Sequence, residues 1–255
     1  MLFTSSALVA VLASVVTVGA APAKPSTTTP GPVPVITNGA AIAAGLMTEP
    51  SNNDRFKKLL TDSKGNLLTG DALRGLTVFD FNQQKPNPGA KGGSILLATV
   101  DNFPILQSQG ISGAISFVEP CGLNIPHFHP RASEIFFVTE GVLDTGFVME
   151  NGFNTEIQTQ LGKFQGTVFP IGSIHYQQNP TCDPVVFVAA LNSEDPGRSD
   201  IATSFFMLDS DVVNAALGFP ETIGGSNIDQ WRSHVPANLA AGVDSCLKKC
   251  GLSKK

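Results

Sequence analysis

Three of the four histidines in this chain fall in two short stretches, His127-Phe128-His129-Pro130-Arg131-Ala132-Ser133-Glu134 and Pro170-Ile171-Gly172-Ser173-Ile174-His175. Successive side chains of a β-strand alternate faces, so His127 and His129, two apart, point the same way. Pro130 and Arg131 suit a turn, because proline presets φ and cannot donate to a ladder. The run from Glu134 reads as a returning strand, which predicts a hairpin that delivers three ligands, with Glu134 opposite the histidines. The fourth, His175, needs a separate strand brought alongside, and Pro170-x-Gly172 supplies the turn ahead of it. Neutral imidazole and carboxylate suit Mn, Fe, Zn, Cu or Ni, and neither stretch holds a thiolate that would favour a structural zinc knot. An isolated His-x-His is commonly ordinary surface polarity. The concentration of His127, His129, Glu134 and His175 in two turn-flanked stretches instead points to one divalent metal.

The strands that must position these side chains are legible as short apolar or alternating runs between turn signals. They cover residues 76–81, 94–100, 113–119, 134–140, 142–150, 155–161, 165–169 and 185–191. Eight such runs predict an all-β sandwich or barrel of jelly-roll type. Helix is expected outside it, over 53–61 and then over 211–217, 228–234 and 238–249. His234, beside Trp231, reads as packing or surface.

The residues around the ligands resemble a known family. Gly122-Leu123-Asn124-Ile125-Pro126-His127-Phe128-His129 through Glu134 to Gly141 is similar to the first cupin motif of germins and germin-like proteins. Pro170-x-Gly172-x-x-His175-x-x-x-Asn179 is similar to the second. Ala190 to Gly197, Phe79 to Asn82 and Pro88 to Gly93 resemble the spherulin-like branch. One departure is Phe164, which stands where germins usually have glycine. The resemblance implies a cupin jelly-roll barrel over 75–208, an N-terminal extension with a short helix over 39–74 and a C-terminal helical extension over 209–255. It implies manganese as the ion, with iron(II) the competitor on ligand chemistry alone, and a homo-oligomer clasped by the C-terminal helices. It also implies that Asn124 contacts substrate or supports the ligands. In oxalate-oxidising germins a second asparagine precedes this one, and that position here is Ala114.

Composition bounds the rest. The motif pair occurs once, the formal net charge is −5, and no basic cluster suggests nucleic acid. Residues 1–20 carry no charged side chain and end in small residues, which predicts a signal peptide and a secreted protein, extracellular or in a cell wall. That apolar block is too short for a bilayer span. Residues 21–38, rich in proline and threonine, read as an extended linker. Four cysteines in a secreted chain predict two disulfides. Cys121 precedes the first motif and Cys182 follows the second, so pairing of the two motif strands predicts Cys121–Cys182, which leaves Cys246–Cys250 as a local bond. Two function classes remain: an oxidoreductase, with superoxide dismutation favoured over oxalate oxidation, and a metal-stabilised structural or ligand-binding protein.

Overall fold

The computed structural model describes residues 30–83, 85–153, 155–218, 234–236 and 238–253. All elements named below lie in the unit Val33–Lys255. Among the described residues, ten strands form two antiparallel five-stranded sheets. The first runs β1 (Gly93–Ala98), β2 (Ser112–Val118), β9 (Val185–Leu191), β4 (Glu134–Glu140), β7 (Gly166–Phe169). The second runs β10 (Ser199–Asp200), β3 (Leu123–Phe128), β8 (Ile174–Gln178), β5 (Leu143–Val148), β6 (Ile157–Leu161). This is the expected jelly roll.

Alternation explains which faces meet. In β2, β4 and β9 every second residue is buried, and these inward positions supply Ala114, Val118, Phe136, Val138, Val185, Phe187 and Ala189. Leu143, Leu161 and Phe169 complete the core from β5, β6 and β7. Phe136 lies between Phe169 and Phe187, with ring centroids 5.3 and 5.4 Å away. Fully burying each of these rings contributes about 1.5–3 kcal/mol.

Several expectations need correction. His127 and Glu134 do not share a hairpin, because β3 and β4 belong to opposite sheets. The chain between them crosses the sandwich. The run at 76–81 is not a strand: Gly70–Thr77 forms helix α3 and Phe81–Gln83 a 3-10 turn. Leu73, Leu76 and Thr77 recur at three- and four-residue spacing, which a helix satisfies, and Thr77 Oγ1 donates to the Leu73 carbonyl at 2.9 Å. The strands that carry His127 and His175, β3 and β8, are absent from the alternation rhythm because Pro126 and a run of polar residues interrupt it.

Helices α1 (Gly39–Leu46) and α2 (Asn52–Leu60) precede the barrel, and Ser51 caps α2 by accepting from the Asp54 amide. After β10 come α4 (Ile201–Phe206) and α5 (Ser210–Ala216), the second close to its expected range. The helix expected over 228–234 lies outside the described residues apart from His234, which is exposed. Of the range 238–249 only Asp244–Lys249, here α6, is helical. Ala240 instead bridges Leu123, and the Gly242 amide donates to the Cys121 carbonyl at 2.7 Å. A Cβ on Gly242 would sit 1.9 Å from that oxygen, so only glycine permits the approach.

The disulfides are Cys121–Cys246 and Cys182–Cys250, not the expected pairs. The two motif ends do meet, since the Cys121 amide donates to the Thr181 carbonyl at 3.2 Å. Cys246 on α6 and Cys250, the residue that caps its C-terminus, are four apart and share one helix face, and that face is laid across the junction. Each loop is long, 125 and 68 residues, so each bond contributes on the order of 4–5 kcal/mol in the chain-entropy account. A non-reducing peptide map should recover Cys121 with Cys246 and Cys182 with Cys250. A Cys121–Cys182 peptide would contradict this arrangement.

Phe164 explains the departure at that position. It takes φ +64° and is 77% exposed, a left-handed conformation that costs an L-residue roughly 1–2 kcal/mol relative to glycine. Phe164→Gly should therefore raise the melting temperature by a few degrees, read by calorimetry.

Candidate metal centre

His127 on β3 lies directly across from His175 on β8. His129 follows one residue beyond β3, and Glu134 opens β4 in the facing sheet. All four side chains are buried, and one donor atom from each lies within 4.8 Å of every other. The structure thus brings together the four residues singled out by spacing, although from two sheets.

The hydrogen bonds fix how the imidazoles face. His127 Nδ1 lies 2.8 Å from the Ile125 carbonyl, His129 Nδ1 2.5 Å from that of Gly197, and His175 Nδ1 2.9 Å from that of Ser173. A carbonyl only accepts, so each Nδ1 carries the proton and each Nε2 presents a lone pair to the centre. Such backbone partners are the usual support of a ligating histidine. His175 Nε2 is buried without a hydrogen-bond partner, an orphan that a cation would satisfy. His129 Nε2 and His175 Nε2 lie 3.0 and 3.6 Å from Glu134 Oε2.

Electrostatics favour a cation. Burial works against the Glu134 carboxylate, yet protons on the facing Nε2 atoms of His129 and His175 outweigh it and hold its pKa at about 2, and a cation bound in their place acts in the same sense. Burial, then the positive charge of Arg198, pushes His127 well below the ordinary imidazole value, keeping it neutral as ligation requires. Three neutral imidazoles and one carboxylate fit Mn(II) or Fe(II) and leave further coordination positions for small ligands.

Local structure positions each group. Gly172, at φ +77°, forms the turn before β8, and its amide donates to the His129 carbonyl at 3.2 Å. This turn was legible from Pro170-x-Gly172. The His175 ring stacks on Phe169 with centroids 4.2 Å apart and planes at 12°, so the core packs against a candidate ligand.

A cavity of about 70 Å³ opens beside His127, His129 and Glu134, lined also by Ile95, Leu97, Ala114, Asn124, Phe187 and Arg198 among others. That is room for a few waters or a ligand of a few heavy atoms. Asn124 is on this wall, and its amide is engaged: Nδ2 donates to Gln177 Oε1 and Oδ1 accepts from Arg198 Nη2 at 3.0 Å. Sequence reasoning missed Arg198 and Gln177. The only available signal for Arg198 was an arginine two residues before Asp200 on a short strand, hence on the same face.

The sequence profile of the cupin family matches residues 79–222, and the chain belongs to that family. Within it the chain is germin- and spherulin-like. Spherulin-1A of Physarum polycephalum is 37% identical over 213 residues, covering 83% of this chain and 80% of that protein. Germin-like protein 8-9 of Oryza sativa subsp. japonica is 40% identical over 139 residues, covering 54% and 62%. Among solved structures, a recombinant oxalate oxidase in complex with glycolate superposes with a TM-score of 0.52 at 25% identity, covering 62% of this chain and 82% of that one.

If the four residues share one ion, His129→Ala removes one ligand while leaving the barrel core untouched. Bound metal, read by elemental analysis, and melting temperature should fall together. Full metal content in that variant would exclude His129 from the set.

Proposed function

We propose that this chain is a secreted manganese cupin that performs redox chemistry on a small oxygen species, with superoxide dismutation as its activity and oxalate oxidation weak. The observation that carries the reading is the convergence of three tautomer-fixed imidazoles and one ionised carboxylate on a small cavity. A manganese ion held by His127, His129, Glu134 and His175 would supply one-electron redox chemistry there. The chain's own residues do the rest. The carbonyls of Ile125, Gly197 and Ser173 hold the imidazole protons away from the centre. Ile95, Leu97, Phe187 and Leu191 make most of the remaining wall apolar, apart from Asn124 and Arg198, and limit water. Similarity to an oxalate oxidase supports an oxidoreductase.

The cavity wall argues against oxalate as a good substrate. Ala114 lines it and has no amide, and one of the two Asn124 Nδ2 donors is taken up by Gln177. Losing a hydrogen bond to a charged group costs roughly 1.5–3 kcal/mol, about tenfold or more in rate. Superoxide, small and singly charged, does not need these donors.

Two disulfides support an oxidising, extracellular location. Phe117, Ile135, Phe137 and Val168, 39%, 51%, 38% and 50% exposed on the outer face of the first sheet, support a homo-oligomer. No described helix is long and apolar enough to cross a membrane.

A second reading, a metal-stabilised structural protein, is favoured by one feature: the four residues join the two sheets, so an ion there would crosslink the sandwich. Assays of manganese-loaded protein separate the readings. Superoxide should be consumed, while peroxide release from oxalate should be slight. Robust peroxide release would overturn the substrate preference, and absence of both activities with metal bound would favour the structural reading.

A further inference from the structure

Arg198 is the one guanidinium on the cavity wall, and its surroundings define what it can bind. Its Nε and Nη2 each lie 2.7 Å from Asp200 Oδ1, and Nη2 also donates to Asn124 Oδ1 at 3.0 Å. Asp200 sits on β10, paired with His127 on β3, so this tether is anchored to a candidate ligand strand. The third nitrogen, Nη1, has no hydrogen-bond partner among the described residues, and the side chain is 25% exposed. Asp200 and Asn124 therefore fix the guanidinium plane while leaving the Nη1 edge unengaged by any described residue.

We propose that Arg198 makes the cavity an anion subsite selective for small monoanions, the class to which formate and superoxide belong. This rests on the reading of His127, His129, Glu134 and His175 as a metal centre. Charge decides the selectivity. Neutral imidazoles, a divalent ion, one guanidinium and the carboxylates of Glu134 and Asp200 leave the site with one net positive charge. A monoanion neutralises it, whereas a dianion leaves uncompensated negative charge in a confined, largely apolar cavity, where charge is costly. The Nη1 edge adds a charge-assisted hydrogen bond that the apolar walls cannot. Volume agrees, since the cavity admits only a few heavy atoms.

The test is equilibrium binding of formate and of oxalate to manganese-loaded full-length protein, followed by the manganese EPR spectrum, with metal content measured on the same samples. Arg198→Gln keeps a polar side chain and removes the charge, and should weaken formate binding about tenfold. Asp200→Asn keeps an acceptor for the guanidinium and removes a negative charge, and should shift the preference several-fold toward oxalate. Formate affinity within twofold of wild type in Arg198→Gln at full manganese content would overturn the role of Arg198. If Arg198→Gln does not fold, an unchanged formate-to-oxalate ratio in Asp200→Asn overturns it equally. Wild-type protein that takes up no manganese would instead refute the metal reading on which the subsite rests.

Discussion

Four polar side chains buried inside an apolar sandwich set the terms for everything near them. Unpaired, each would cost on the order of 1–3 kcal/mol or more, and His127, His129, Glu134 and His175 are all at most 6% exposed. The barrel meets this with fixed partners on one side of each imidazole and mutual proximity on the other. His127 pairs across the ladder with His175, so two rings arrive together, their centroids 4.3 Å apart. Glu134 arrives from the opposing sheet. The cluster can therefore form only when the two sheets have closed, which links the site to completion of the fold.

The same logic explains the packing behind the site. Phe136, Phe169 and His175 form a continuous stack that runs from the centre of the core to a candidate ligand. The turn before β8 latches onto the His129 carbonyl, and the Asp195–Gly197 segment approaches from the other side. There Arg131 binds the carboxylate of Asp195 and the Gly197 carbonyl accepts a hydrogen bond from His129 Nδ1. Each ring is held by a backbone carbonyl, from β3 itself, from the turn before β8 or from the segment at Gly197, so its orientation does not depend on the ion.

What the sequence made legible was local or periodic. His127 and His129 two apart, the Gly172 turn and the alternation of β4 and β9 each follow from the geometry of one segment. What it concealed was partnership between segments. Strands β3 and β4 look like a hairpin because a Pro130 turn lies between them, yet nothing local says whether the chain returns beside itself or crosses to the facing sheet. Cys246 and Cys250 look like a local pair until α6 is placed against the end of the barrel. Arg198 gave almost no signal, since its meaning comes from Asn124, 74 positions earlier.

The C-terminal segment belongs to the site rather than beside it. The register of β3 against β8 shifts between Asn124 and His127, which takes the Ile125 amide off the ladder. Asn238 Oδ1 accepts from that amide at 3.2 Å, while the Ile125 carbonyl fixes His127 Nδ1. Asn238 is itself placed by the Leu123–Ala240 bridge and by the Cys121–Cys246 bond. A bulged strand whose free amide is satisfied from outside its sheet is held only as firmly as that outside segment. The disulfides accordingly act on the candidate metal centre through Ile125, fixing the peptide that orients one of its three imidazoles.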